Sequence, residues 1–258
     1  MTIDEINARL AAISRPTFEA FSDALRPDRV RAIRLRQNEW DLAHPELAAE
    51  HAALMRETDV IQRMESEKAL ALAEKGRAKA NLRAMAGDRV ADALATSTET
   101  PALLAARAWW DSTSWCLALI GDLGVGKSVG AGWIALQALE AGKTARWLDA
   151  RDAAVSPIFG TEGSARAHRC REVDLLVVDD LGAGAPSEAW KAWVEAILGY
   201  RHAREFRTVV TSNANAEKFK ALVGERMVDR IREGGVVKDF GGASLRQRSA
   251  TPEMRRKG

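Results

Sequence analysis

The octapeptide at residues 121–128 reads Gly121, Asp122, Leu123, Gly124, Val125, Gly126, Lys127, Ser128. It matches the pattern G-x-x-x-x-G-K-[ST], in which glycines let backbone N–H groups turn inward around phosphate oxygens. The apolar run from Trp115 to Ile120 predicts a buried strand before it, and Val129 to Ala141 predicts a helix that ends at Gly142. Because a helix N-terminus adds positive potential, this strand–loop–helix context favours a phosphate-binding loop.

The polar residues of this phosphate loop (residues 121–128) have predicted roles. We expect the Lys127 ammonium to reach the β- and γ-phosphates of a nucleotide and the Ser128 hydroxyl to hold Mg²⁺. The whole octapeptide is therefore a predicted nucleotide-binding segment.

A second motif is a pair of carboxylates. The run from Leu175 to Val178 predicts a buried strand, and Asp179 and Asp180 follow it directly. Ligands of parallel α/β sheets bind at the carboxyl ends of the strands, so both carboxylates are expected near the nucleotide. Asp179 is the predicted Mg²⁺ partner, and Asp180 is the predicted base that orients an attacking water.

Two later segments add polar candidates. Asn213 follows a predicted strand, Arg207 to Thr211, where an amide can place a water near the γ-phosphate. In a predicted helix from Gly224 to Arg232, Arg226 and Arg230 share one face. The pair fits either a salt-bridged, solvent-facing helix or an arginine finger, a guanidinium that neutralises charge on a transferred phosphoryl group and often comes from a neighbouring subunit.

Together these stretches resemble the AAA+ ATPases of the helicase-loader group: DnaC-like and DnaI-like replicative helicase loaders and IstB-like transposition ATPases. The segments Thr211 to Asn215 and Gly224 to Ile231 carry the resemblance most closely, and it covers about residues 88–250. It implies ATP/ADP and Mg²⁺ as ligands. The implied fold is α/β, a P-loop AAA+ core with a parallel five-stranded sheet, preceded by a small all-α N-terminal domain.

The resemblance also assigns residues. It assigns the arginine finger to Arg230. Arg246 matches an arginine that contacts the nucleotide in the family, although Leu245 replaces the tyrosine that usually precedes it. The family usually has Asp-Glu where this chain has Asp179-Asp180. Aspartate is one methylene shorter, and displacement of a positioned group can cost about 10²-fold in rate, so slow hydrolysis is a further hypothesis.

The expected domains are residues 1–87, helical and partner-binding; residues 88–250, the ATPase; and residues 251–258, a basic tail. Pro16, Pro27 and Pro45 predict several helices in the first domain. The narrow stripe of Leu47, Leu54, Ile61 and Met64 suits either a partner helix or packing within its own domain. The resemblance implies that this region binds the helicase, as it does in loaders.

A basic cluster lies before the second motif. Arg166, Arg169 and Arg171 predict either a contact to single-stranded DNA, as in related loaders, or one charged face of a helix. Trp190 and Trp193 are at helical spacing, i and i+3, and Trp109 and Trp110 precede the first predicted strand. All four are predicted to be core rather than base-stacking.

Composition limits the class of protein. The chain has 258 residues, 47% hydrophobic and 29% charged, as is typical of a globular protein. It has no apolar run near 18 residues and no secretory signal at Met1 to Leu10, so we expect a cytoplasmic protein without membrane contact. Cys116 and Cys170 form no C-x-x-C pair, which predicts neither a zinc site nor a disulfide framework.

These observations favour an ATP-dependent loader of the replicative helicase onto single-stranded DNA, with self-association through the arginine finger. The alternatives are an IstB-like ATPase that partners a transposase and a nucleotide-gated adaptor with very slow hydrolysis. A small-molecule kinase would need an arginine-rich lid, and a GTPase would need the Asn-Lys-x-Asp motif that the sequence lacks. The binding partner of the N-terminal region distinguishes the first two hypotheses.

Overall fold

A computed structural model describes residues 1–13, 27–96, 99–155, 160–183 and 187–242. The chain divides into two compact units, Met1–Ala73 and Glu74–Gly258. The assignment of functions to domains, with its boundary after residue 87, stays a prediction.

The first unit is helical in the residues that the structure describes. It contains α1 (Ile3–Ala12), α2 (Pro27–Ala43) and the first part of α3 (Pro45–Ala86). A capping box starts α1, because Thr2 accepts a hydrogen bond from the Glu5 N–H and the Glu5 carboxylate accepts one from the Thr2 N–H. Helix α3 is continuous over 42 residues, and Gly76 does not break it.

A small apolar cluster stabilises this unit. Ile6, Ile13 and Leu54 are buried in it, and Ile61 packs against them. Two members of the predicted partner stripe, Leu54 and Ile61, thus pack within their own unit, whereas Leu47 and Met64 are 40% and 50% exposed.

The second unit has a parallel sheet of five strands. They are β1 (Cys116–Gly121), β2 (Ala145–Asp149), β3 (Leu175–Asp179), β4 (Arg207–Thr211) and β5 (Gly235–Phe240), in the spatial order β2-β3-β4-β1-β5. Its helices are α4 (Asp88–Thr96), α5 (Pro101–Trp110), α6 (Lys127–Glu140), α7 (Ala150–Val155), α8 (Gly160–Glu172), α9 (Glu188–His202), α10 (Ala216–Val223) and α11 (Glu225–Gly234). The predicted fold class is confirmed.

The two faces of the sheet carry separate cores. In β1, Cys116, Ala118 and Ile120 belong to one core, and Leu117 and Leu119 belong to the other. Because both faces are covered, β1 and β3 read as continuous apolar runs, which is why the sequence indicated them clearly.

The four tryptophans predicted to be core lie in or against the two sheet cores. Trp109 and Trp190 are each 2% exposed, and Trp110 and Trp193 are partly buried against the two cores. Cys116 and Cys170 are buried free thiols, and burial raises the pKa of Cys116 to about 12.

Candidate nucleotide-binding site

The phosphate loop connects β1 to α6 through left-handed backbone. Gly121 has φ +112°, and a Cβ there would lie 2.2 Å from the carbonyl oxygen of Phe240, so only glycine fits. Gly126, with φ +91°, is the N-cap residue of α6. Hydrogen bonds fasten the loop to its neighbours, because the Gly121 N–H donates to Ala214 O at 3.0 Å and the Asp122 N–H donates to Phe240 O at 2.8 Å.

The Lys127 ammonium lies inside this loop. Its Nζ donates to the carbonyl oxygens of Gly121 at 2.9 Å and Asp122 at 2.6 Å, and the residue is only 5% exposed. Around it, Val125 packs inward at 8% exposed, whereas Leu123 is 60% exposed. A buried cation at a helix N-terminus is suited to hold phosphate oxygens.

Asp179, the last residue of β3, meets two hydroxyl groups. Ser128 Oγ and Thr211 Oγ1 both donate to its Oδ1, at 2.9 and 2.5 Å. Asp179 is 8% exposed; burial raises its pKa, and the hydrogen bonds from Thr211 and Ser128 oppose that shift. The two predicted Mg²⁺ residues are thus adjacent, although they are far apart in the sequence.

Thr211 is a site residue that the sequence analysis missed. It is fully buried at the end of β4, and its Oγ1 also accepts the Asp180 N–H at 2.9 Å. One hydroxyl therefore orients both acids. Its only sequence signal was its place at a strand end just before Asn213.

Asp180 is held by its backbone and by two side chains. Its φ of +59° is left-handed, a conformation that aspartate tolerates better than most residues. Its Oδ1 accepts a hydrogen bond from Asn213 Nδ2 at 2.6 Å, and its Oδ2 lies 3.4 Å from Nη2 of Arg151. The predicted base and the predicted sensor amide are therefore in direct contact.

Arg151 and Asp149 complete the acidic end of the sheet and were also missed. Asp149 ends β2, is in register with Asp179, and caps α7 through the Arg151 N–H at 2.8 Å. The Arg151 guanidinium lies 3.5 Å from Asp149 and is 60% exposed. The charges of Asp149 and then Asp180 raise its pKa.

The structure does not bring every predicted residue to this place. Within the part of the chain that it describes, neither Arg226 nor Arg230 contacts the phosphate loop or the two acids; Arg226 is exposed and Arg230 is half-buried. Arg246 and the basic tail of residues 251–258 lie outside the described residues.

Two of the three arginines of the predicted basic cluster on α8 contact other side chains of the same chain. Arg166 lies 3.6 Å from Glu162, and the Arg171 guanidinium lies over the Tyr200 ring at 5.5 Å. Arg169 is exposed and, in the described residues, has no ion pair. The predicted contact with single-stranded DNA stays a prediction.

The donor set fits a magnesium nucleotide. A hydroxyl and a carboxylate lie together beside a phosphate loop, and Mg²⁺ prefers oxygen ligands from one or two carboxylates plus phosphates and water. The described residues include no helix that is both long and apolar enough to span a membrane.

Comparison with known proteins finds relatives in the helicase-loader group. The chain is 30% identical over 119 residues to the replicative helicase loader DnaC of Escherichia coli K12. The aligned segment covers 44% of this chain and 49% of the relative. It is 34% identical over 67 residues to the replicative helicase loader DnaC of Buchnera aphidicola from Acyrthosiphon pisum. That aligned segment covers 26% of this chain and 27% of the relative. The chain spans about half the length of the E. coli relative. The resemblance inferred from the motifs is confirmed.

No family model matches the chain. A crystal structure of the DnaC helicase loader aligns with a TM-score of 0.49 at 21% identity, over 60% of this chain and 100% of that one.

Proposed function

We propose that this protein is an ATP-dependent loader of a ring-shaped replicative DNA helicase onto single-stranded DNA. One observation carries the proposal. In a chain similar to proteins named replicative helicase loader DnaC, the Ser128–Asp179 and Asp180–Asn213 pairs both form where β3 and β4 end, next to the phosphate loop.

In the proposed reaction, the loop N–H groups and the N-terminus of α6 bind the β- and γ-phosphates of ATP. The Lys127 ammonium neutralises their charge, and its burial strengthens that interaction. Ser128 and Asp179 would hold Mg²⁺, which would supply positive charge that stabilises the negative charge developing on the phosphoryl group.

Asp180 and Asn213 orient the attacking water. A carboxylate oxygen of Asp180 accepts a hydrogen bond from the water, whose oxygen attacks the γ-phosphorus as the bond to the bridging oxygen of ADP breaks. The water's protons pass to the phosphate product and to solvent. The contacts of Asp180 with Asn213 and Arg151 support this role because they fix the direction of a short side chain.

We further propose that Arg230 acts as the arginine finger of a neighbouring copy, so that hydrolysis depends on self-association. The half-buried position of Arg230 on α11, away from the acids of its own chain, supports a role in trans.

The helicase is proposed to bind the first unit, Met1–Ala73. Several large apolar side chains of its helices lie outside the small internal core. Leu42 is 83%, Leu72 73% and Leu70 61% exposed. Apolar side chains left outside a small core support a protein partner. The exposed Arg169 on α8 supports the proposed contact with single-stranded DNA, whose affinity would fall with rising salt.

A second candidate is a nucleotide-gated adaptor that hydrolyses ATP very slowly. The observation that favours it is the engagement of both Asp180 carboxylate oxygens, one with Asn213 and one near Arg151. A base held in this way, and one methylene shorter than glutamate, orients water less effectively.

The test uses the full chain, the helicase of its host, ATP and a closed single-stranded DNA circle that has no end to thread. We expect the helicase to remain on the circle through gel filtration only when this protein and ATP are both present. The Lys127→Ala variant should still bind the helicase, because its first unit is intact. It should fail to load the helicase, because it lacks the ammonium that binds ATP.

Three outcomes separate the hypotheses. Loading with measurable ATP turnover supports the loader. If loading requires ATP but the Asp180→Asn variant loads the helicase as efficiently as the unsubstituted chain, the result supports the adaptor. Absence of any complex with the helicase would contradict both, and a transposase would be the partner to test next.

A further inference from the structure

Helix α9 contains a glycine inside its last turn, before its C-cap residue Ala203. Glycine is a poor residue within a helix, so its presence calls for a packing reason. A Cβ on Gly199 would lie 2.9 Å from Nη1 of Arg230, closer than real Cβ atoms come to their neighbours. The absent side chain therefore makes room for the Arg230 guanidinium.

Helix α11 is fixed in the position that sends Arg230 toward this glycine. Met227 and Ile231 are fully buried and share a core cluster with Ile197 and Leu198 of α9. The Arg230 carbonyl oxygen accepts a hydrogen bond from the Trp115 indole at 3.3 Å. These contacts fix the Arg230 backbone, so its side chain starts from a defined point beside Gly199.

The guanidinium is positioned without being neutralised. Among the residues that the structure describes, the Arg230 guanidinium has neither an ion pair nor a hydrogen bond. Its charge is therefore available to an anion from outside the chain. Arg226, one turn earlier on the same face, is exposed and has no comparable packing.

We propose that Gly199 is a positioning residue for Arg230: the gap at residue 199 sets the direction in which the guanidinium is presented to the nucleotide of a neighbouring copy. This inference rests on the proposed function, in which Arg230 is the arginine finger. A methyl group at residue 199 would displace only the far end of a flexible side chain. The Gly199→Ala substitution thus moves the finger and leaves the backbone in place.

The test is a complementation of two inactive variants of the full chain. A donor, Lys127→Ala, lacks ATP binding and keeps Arg230; a recipient, Arg230→Ala, binds ATP and lacks the finger. Mixing them at saturating ATP should restore hydrolysis. Adding Gly199→Ala to the donor should lower the restored rate by about tenfold or more, since displacement by about 1 Å can cost 10²-fold. Adding it to the recipient should leave the restored rate of the parent pair.

A matched control is Gly76→Ala in the donor, because Gly76 is a helical glycine with open space around it. This control should restore the rate of the parent pair. The melting temperature of Gly199→Ala should not fall below that of the unsubstituted chain, since alanine favours the helix and only a side-chain tip must yield.

The outcomes are distinct. An equal loss with Gly199→Ala in either partner would mean a general structural defect and would overturn the proposal. A full rate with the substituted donor would overturn the role of Gly199 and leave Arg230 as the finger. If the parent pair restored nothing, Arg230 would not act in trans, and both the finger assignment and this inference would fail.

Discussion

Asp179 combines burial with charge, and this combination has a cost in stability. It is buried at the end of β3, and its largest pKa effect is the desolvation that raises the value. A carboxyl whose folded pKa lies above its unfolded pKa stabilises the fold at low pH. That contribution is lost as the pH rises through the folded pKa, because the native state then binds more protons than the unfolded state.

We therefore expect Asp179→Asn to melt at a higher temperature than the unsubstituted chain at neutral pH and to lose Mg²⁺-dependent hydrolysis. The difference in melting temperature should shrink toward pH 4, about the ordinary aspartate pKa, where Asp179 is itself becoming neutral. Calorimetry across this pH range checks the sign. A variant less stable at neutral pH would show that the Ser128 and Thr211 hydrogen bonds outweigh desolvation.

A second prediction concerns Arg151. Among the described residues, removing this guanidinium leaves the Asp180 carboxylate with Asn213 as its remaining side-chain partner. We expect Arg151→Ala to lower kcat by about tenfold with little change in ATP affinity, and Arg151→Lys to recover part of the rate. Single-turnover hydrolysis and nucleotide titration measure the two quantities. A faster Arg151→Ala variant would instead show that Arg151 restrains the base, as the adaptor hypothesis requires.

At this scale the sequence predicted the residues that lie in local motifs. Lys127, Ser128, Asp179 and Asp180 each stand next to a recognisable strand or loop. Thr211 and Arg151 could not be found, because their contacts depend on which strands are neighbours. That order, β2-β3-β4, is a property of the folded sheet and leaves no local pattern.

At the scale of elements, one arginine joins the ends of several. Arg201 in α9 is fully buried, and burial lowers its pKa to about 10. Its Nη1 donates to the carbonyl oxygens of Cys170 and Val173 at 3.0 and 2.8 Å. Its Nη2 donates to Arg207 O at 2.7 Å. The guanidinium thus satisfies carbonyls at the end of α8 and around the starts of β3 and β4.

We expect Arg201→Met to destabilise the fold by about 3 kcal/mol or more, because several buried carbonyls would lose their donor. Urea unfolding measures this loss. The matched control is Arg204→Met, since Arg204 is exposed and its guanidinium stacks on the Tyr200 ring at 3.7 Å. That contact contributes about 1 kcal/mol or less. Equal losses in the two variants would contradict the role of Arg201.

The strands differ in how well their sequences predict them. The strands β1, β3 and β4 were located from their sequences, whereas β5 was expected only as an unplaced member of the five-stranded sheet. It lies at an edge of the sheet, and its residues Val237, Lys238 and Asp239 are exposed. An edge strand does not need the two-sided apolar pattern of a central one.

At the scale of the whole molecule, the boundary between the compact units falls inside α3. Residues after Ala73 pack with the second unit: Leu82 is 2% exposed in one of the sheet cores, and Met85 lies against that core. A deletion intended to remove the first unit should therefore end at residue 73.

We expect the chain that starts at residue 74 to unfold cooperatively and bind ATP, and a chain that starts at residue 88 to be much less stable. In the full chain, Leu82→Ala should cost roughly 2–5 kcal/mol, the usual range for a buried leucine. Leu72→Ala is the control and should be nearly neutral, because Leu72 is 73% exposed. Thermal unfolding of these chains is the measurement; equal stability of the two truncated chains would contradict the assignment.

The position of β1 in the sheet has a consequence for synthesis on the ribosome. Both neighbours of β1 are strands that come much later, β4 and β5, and the loop after β1 is fastened by Ala214 and Phe240. A nascent chain that has emerged only to residue 206 contains the entire phosphate loop sequence without either strand that supports it. Arrested translation products of that length should bind no nucleotide, and competence should arise late, once the polypeptide to about Phe240 has left the exit tunnel.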